Sequence, residues 1–186
     1  MIRELLRGAA LWLDPGGQAF WRLRRTVLAW ITLACAAFIL FSFHQRLRRL
    51  LFILDWFDLV IHEAGHPIFG LLGCRWLMMA GGTLLQLLMP ALFYFAFLRQ
   101  RQPRSADVCL FWFGANFLGI GPYIADAREQ ALPLLGGGEH DWTYLLDSLG
   151  LLAQDDRIGA LAVYLGCFVM AYSVFSFWRH CLKDEA

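Results

Sequence analysis

The chain has 186 residues, of which 59% are hydrophobic and 17% charged, and its formal net charge is +1 at pH 7. A soluble domain rarely has so apolar a composition, and the small net charge without a broad cationic face argues against a nucleic-acid-binding protein. The apolar residues form stretches of about 20 residues, the length that crosses a bilayer core. The five cysteines are scattered singly, which predicts neither a disulfide framework nor a Cys-x-x-Cys metal site.

These features predict an all-α fold, a polytopic membrane helical bundle of about five transmembrane helices. Residues 1–25 precede the first long apolar stretch, and we expect them to form an interfacial segment, either a short amphipathic helix or a loosely ordered tail. A single transmembrane domain follows over residues 26–186. Its predicted spans are about 27–43, 50–73, 76–98, 108–125 and 158–178, and an acidic, glycine-rich loop covers 126–157.

The second predicted span differs from a plain membrane anchor because it contains five ionisable side chains: Asp55, Asp58, His62, Glu63 and His66. An ionisable group near the centre of a bilayer costs about 2.5–3.5 kcal/mol on insertion scales. Such groups are rare in membrane spans and mark functional sites where they occur. We therefore expect the chemistry of the protein to lie on this helix.

The run HEAGH, from His62 to His66, is a His-Glu-x-x-His motif. Residues four apart lie on the same face of a helix, one turn apart, so both imidazoles can bind one metal ion. Two imidazoles with an oxygen donor suit zinc, and the predicted cofactor is one Zn²⁺ ion. Glu63 lies at the edge of this face, where it can act as general base towards a metal-activated water. Pro67 lacks an N–H group and predicts a bend at this point of the helix.

A third metal ligand is required, and two regions of the sequence offer one. Asp126 ends the fourth span in the run GPYIADAR, whereas His140 and Asp141 lie in the loop run GGGEHDW. Asp126 could instead mark a helix end at the membrane interface, and the loop pair could be solvated. The glycines from Gly136 to Gly138 would allow the loop to fold back over the site. We place Asp126 slightly ahead and keep all three residues as candidates.

The HEAGH helix, followed in a later span by Asn116, Gly121-Pro122 and Asp126, resembles the site-2 protease family of intramembrane zinc metalloproteases. The resemblance implies that Asp126 is a metal ligand and that Asn116 binds the unwound substrate. Ile-Ala-Asp-Ala stands in this chain where the family has Leu-Asp-Gly. The chain looks most like small membrane proteins grouped with this family, which share an ADAR and an HDW run.

The leading hypothesis is an intramembrane zinc metalloprotease that hydrolyses peptide bonds in or near the transmembrane segments of another membrane protein. An alternative hypothesis is a zinc-binding membrane protein without peptidase activity, which acts as a chaperone, sensor or adaptor. Its zinc site would be closed, with four protein ligands. A third hypothesis is a proton relay in which Asp55 and Asp58 join the histidines.

The expected surroundings are a lipid bilayer, with a membrane-protein substrate and no nucleic-acid partner. We expect a multi-pass protein of the bacterial inner (cytoplasmic) membrane. Arginine is distributed almost evenly between the two sides, which leaves the orientation open.

Overall fold

The structure, a computed structural model, describes residues 25–27, 30, 52–132 and 138–183. This part of the chain is built from α-helices and turns and has no β-strand. The helices are α1 (Phe52–Gly70), α2 (Arg75–Arg99), α3 (Pro103–Ala125), α4 (Asp141–Ser148) and α5 (Asp155–Lys183), with a 3-10 turn at Leu152–Gln154 before α5. The all-α prediction is confirmed for the described residues. The predicted interfacial segment 1–25 and the first predicted span 27–43 lie almost entirely outside them.

Three helical stretches are long and apolar enough to cross a membrane: Arg75–Arg99, Pro103–Ala125 and Leu152–Leu182. At about 1.5 Å per residue each exceeds the roughly 30 Å of a bilayer core. They correspond to the third, fourth and fifth predicted spans. Helix α1 corresponds to the second, but it has three acidic residues, Asp55, Asp58 and Glu63, in its 19 residues. That α1 crosses the bilayer, and that there are five spans, therefore stays a prediction.

The helices change direction in short turns. Helix α1 continues through Pro67 and ends at Gly70, and the four-residue turn that follows contains Gly73 with a φ of 70°. Glycine adopts this left-handed conformation at little steric cost. Helix α3 begins with Pro103, at a position where a missing N–H group leaves no hydrogen bond unmade. As a result α1, α2 and α3 run alternately up and down.

Close helix packing depends on glycines. Helix α3 packs along α5, where Gly114 contacts the backbone at Gly166 and Gly121 contacts the backbone at Gly159. Helix α1 packs on α2 in the same way, with Gly65 against the backbone at Gly81. Residues without a Cβ allow helix backbones to approach closely, which is how helices commonly associate in lipid. These contacts fix the height of each helix relative to its neighbour.

The predicted loop 126–157 contains a helix, so the prediction of one long polar loop is wrong in this respect. Helix α4 occupies residues 141–148, and an ion pair between the half-exposed Arg128 and the buried Asp155 joins the chain segments on either side of it. Arg128 donates from Nε to the fully buried carboxylate of Asp155 at 2.6 Å, and its backbone N–H donates to the same carboxylate at 3.1 Å. This ion pair joins the end of α3 to the start of α5. Helix α4 is thereby held against α2 and α3 at one end of the bundle.

Candidate metal centre

The two histidines of the HEAGH motif lie next to each other on α1. Their ring centroids are 5.0 Å apart with the rings nearly perpendicular, as expected for residues one helical turn apart. His62 is buried, and the side chain of His66 is 22% exposed. The spacing prediction is confirmed, since both imidazoles are directed to one side of the helix.

Hydrogen bonds from Nδ1 orient both rings. His66 Nδ1 lies 2.9 Å from the backbone carbonyl oxygen of Met78, and His62 Nδ1 lies 3.2 Å from Oε1 of Gln86. A carbonyl oxygen only accepts hydrogen bonds, so each Nδ1 carries the proton and, in the neutral imidazole, each Nε2 is left with a free lone pair. Metal-binding histidines commonly have this arrangement, in which the second ring nitrogen donates to a carbonyl group.

Asp141 completes a group of three. Its Oδ2 atom lies 3.0 Å from Nε2 of His62 and 3.4 Å from Nε2 of His66. The three ligand atoms all lie within 4.8 Å of one another and could hold a metal ion. Bonds of about 2.0–2.2 Å in a tetrahedral zinc site place neighbouring ligand atoms about 3.3–3.5 Å apart, which is close to these distances. The 3.0 Å contact is a hydrogen bond when His62 is protonated on Nε2; with both imidazoles neutral and their protons on Nδ1, two lone pairs and a carboxylate oxygen converge here, which is an arrangement that a cation would bind.

Tyr123, near the end of α3, holds Asp141 from the other side. Its hydroxyl lies 3.4 Å from Oδ2 of Asp141, to which it donates, and 3.4 Å from the backbone nitrogen of Asp141, from which it accepts. The Tyr123 ring also contacts the rings of His62 and His140, with centroid distances of 6.0 and 4.2 Å. The carboxylate of Asp141 is therefore fixed by a residue of α3 while it faces two residues of α1.

His140, the second candidate for the third ligand, caps helix α4. Its Nδ1 accepts a hydrogen bond from the backbone N–H of Thr143 at 3.3 Å, and its Nε2 faces Oδ2 of Asp126 at 3.6 Å. Burial lowers the pKa of His140, although the Asp126 carboxylate acts in the opposite direction. A neutral ring with its proton on Nε2 fits both contacts. Neither nitrogen of His140 is directed at the histidine pair.

Asp126, the candidate placed first from sequence, is also engaged elsewhere. Its two carboxylate oxygens accept from the backbone N–H groups of Ala131 and Leu132, at 2.9 and 3.1 Å. The structure thus brings Asp141, and not Asp126 or His140, to His62 and His66. The physical reason is that the chain turns directly after α3 and the Asp126 carboxylate accepts hydrogen bonds from the amides of that turn.

A cavity of about 290 Å³ opens beside the three ligand atoms. Glu63 and the side chains of Met78 and Met79 form part of its wall, and Arg75 and Glu139 lie among the residues that line it. Within the described part of the chain, the Glu63 carboxylate has no hydrogen bond or ion pair. It is exposed and is available to a molecule in the cavity.

Some residues that orient the candidate metal ligands were not predicted from the sequence, and one predicted substrate-binding residue lies away from the cavity. Gln86 was recognisable as a polar residue in an apolar span, whereas nothing in the sequence pointed to Tyr123 or to the carbonyl of Met78. Asn116 was expected to bind substrate, but it is 2% exposed, donates to the carbonyl of Trp112, and is not part of the cavity wall. The structure does not place Asn116 where a substrate in this cavity would touch it.

No protein-family model, curated protein or solved structure matches this chain.

Proposed function

We propose that the protein is a membrane-bound zinc metallopeptidase that hydrolyses peptide bonds of other membrane proteins, in the manner of the site-2 protease family. The observation that carries the proposal is the convergence of His62 Nε2, His66 Nε2 and Asp141 Oδ2 beside the exposed Glu63 carboxylate, which lines the same cavity. Two imidazoles and one carboxylate are a ligand set that zinc uses in hydrolases, where the fourth position is left for water.

The proposed chemistry assigns one role to each residue. Zinc, when bound, supplies a Lewis acid and lowers the pKa of water to about 7. Glu63 takes a proton from the attacking water and returns it to the leaving amine nitrogen. His62, His66 and Asp141 hold the ion, and Gln86 and the Met78 carbonyl keep the two imidazoles in the protonation state that binds it.

The number of protein ligands supports a hydrolase over a closed structural site. A structural zinc site has four protein ligands, whereas a catalytic site has three and an open position. Among the described residues, the two other candidates, Asp126 and His140, are directed away from the histidine pair. The cavity is lined by His62, His66 and Asp141, so space for a water molecule adjoins the three ligands.

The test compares the purified protein with its Glu63→Gln variant, both handled without chelators. We expect about one zinc per chain in each, and cleavage of a helix-destabilised membrane substrate by the wild type alone. A fall in rate of at least about a hundredfold is expected, as is usual for loss of a general base. Equal cleavage by both proteins would contradict the proposal. Stoichiometric zinc without cleavage of any substrate would favour the chaperone, sensor or adaptor alternative.

A further inference from the structure

The metal centre lies near one end of the helix bundle. His66 is four residues from the end of α1 at Gly70, Met78 is three residues from the start of α2 at Arg75, and Tyr123 is two residues from the end of α3. At about 1.5 Å per residue, these positions lie within about 6 Å of the helix ends, whereas His62, eight residues before Gly70, lies about 12 Å from the end of α1. The three ends lie together because α1, α2 and α3 alternate in direction.

Helix length places this end close to water. Helix α2 has 25 residues and α3 has 23, so their lengths of about 38 and 35 Å exceed the roughly 30 Å of a bilayer core. Several ångströms of helix therefore extend beyond the hydrocarbon. A site that extends from about 6 to about 12 Å below the helix ends then lies in the outer part of the bilayer, with His66 nearer to the water than His62.

The mouth of the cavity is charged. Arg75 and Glu139 form an ion pair of 2.5 Å at the rim, and their side chains are 61% and 48% exposed. The Arg75 guanidinium also lies 4.8 Å above the ring of Tyr144. Exposed charged pairs of this kind are stable in water and costly in hydrocarbon. The cavity therefore opens towards the aqueous phase.

The opposite side of the metal centre is closed by an aromatic side chain. Trp112 on α3 donates from Nε1 to Oδ1 of Asp58 at 2.7 Å, and Asp58 is one turn before His62 in the direction of the bilayer centre. The Trp112 ring contacts the rings of Phe57 on α1 and Phe93 on α2, with centroid distances of 6.0 and 6.4 Å. One tryptophan thus joins three helices below the site.

From these features we infer the substrate class of the proposed peptidase: an extended juxtamembrane segment that enters from the aqueous side, and not the middle of a transmembrane helix. This inference rests on the proposed function. The peptide C–N bond that is broken lies within a few residues of the end of the substrate's transmembrane span. In the reaction the carbonyl carbon gains a hydroxyl group from water, and the amine leaves with the remaining proton. An extended segment already exposes its peptide carbonyls, whereas a helix in lipid must first unwind and leave backbone groups without hydrogen bonds.

The experiment uses the zinc-loaded protein in liposomes with a series of single-span substrates. In each substrate the same helix-destabilising six-residue sequence is placed at a different position, from outside one end of the span, through its middle, to outside the other end. The cleavage products are identified by mass spectrometry. We expect cleavage at or just outside one end, falling by at least about tenfold at mid-span because of the cost of unwinding in lipid. Preferred cleavage at mid-span would overturn the inference and leave the proposed peptidase standing. No cleavage at any position, with zinc bound, would overturn both.

A second measurement does not depend on activity. Cys74 is an exposed thiol directly before α2, at the level of the cavity mouth. In nanodiscs, a charged, membrane-impermeant maleimide should label Cys74 at least about tenfold faster than the buried Cys109 of α3, both measured by mass spectrometry of their peptides, because thiolates form in water and not in lipid. Equal labelling of these two cysteines would place this end of the bundle in the hydrocarbon and contradict the inference.

Discussion

The contact between α1 and α2 makes Gly82 the most informative residue to change. A methyl group added at this position by Gly82→Ala would lie 2.5 Å from Nε2 of His62 and 2.7 Å from its two neighbouring ring carbons. Ordinary contacts between carbon and nitrogen are about 3.5 Å, so the imidazole must move by about 1 Å. Metal–ligand distances tolerate only about 0.2 Å. The substitution therefore displaces the ligand atom itself.

The expected magnitude follows from this displacement. Disturbing a partner that merely orients a ligand commonly costs 10- to 100-fold in metal affinity, and moving the ligand atom should cost at least about 100-fold. A hundredfold loss corresponds to about 2.8 kcal/mol. Overpacking at the helix contact is expected to lower the stability of the metal-free protein by a further 1–3 kcal/mol or so.

The assay is zinc competition against a chromophoric chelator, together with thermal unfolding with and without zinc. The matched control is Gly119→Ala on α3, where an added methyl group meets nothing within 4 Å. We expect Gly119→Ala to bind zinc like the wild type and to lose no stability, since alanine is the better helix former. Zinc affinity of Gly82→Ala within about threefold of the wild type would refute the assignment of His62 Nε2 as a ligand.

Three further predictions concern the surroundings of the centre. Asp141→Ala should lose stoichiometric zinc, whereas Asp126→Ala should retain it with an affinity weakened by about tenfold. Both are measured by metal analysis and chelator competition. Loss of zinc from Asp126→Ala but not from Asp141→Ala would indicate that Asp126 is the ligand. Gln86→Leu should weaken zinc binding by about 10- to 100-fold through loss of the hydrogen bond to His62, and unchanged binding would contradict that role. Arg128→Ala should lower the free energy of unfolding by about 1–2 kcal/mol, since the buried Asp155 carboxylate loses the hydrogen bond from Nε but keeps those from backbone N–H groups; Arg128→Lys, which keeps the charge, should lose less.

The helices were largely predictable, and their limits less so. Long apolar runs predicted three membrane-length helices, because lipid requires backbone groups to be satisfied within the helix. Helix α3 begins at Pro103, five residues before the predicted start of the fourth span at 108, because its first turns contain the polar residues Arg104, Ser105 and Asp107. Helix α4 was missed altogether. It is short and acidic at its start, and only its cap and its packing on α2 indicate it.

Two of the three grouped ligand residues were predicted with their geometry, and the third only as one of several candidates. The spacing of His62 and His66 determines their relative position on any helix, so one turn of local structure is sufficient. Asp141 is 75 residues further along the chain, and its position depends on where the segment after α3 returns. Sequence order favoured Asp126 because it ends a span, and the amides of Ala131 and Leu132 that bind its carboxylate had no recognisable signal.

The three candidates for the third ligand, Asp126, His140 and Asp141, lie next to one another. Their mutual contacts explain how Asp141 is held beside the two histidines. Asp126 fixes the turn after α3, and it faces His140, which caps α4 so that Asp141 becomes the first residue of that helix. A carboxylate in the first turn of a helix is favourably placed relative to the helix dipole, and here Tyr123 also donates to it. Asp141 is therefore positioned before any ion binds. His140→Asn should therefore preserve zinc binding better than His140→Leu, because asparagine can also cap a helix and leucine cannot. If His140 were instead a zinc ligand, both variants would lose zinc binding equally.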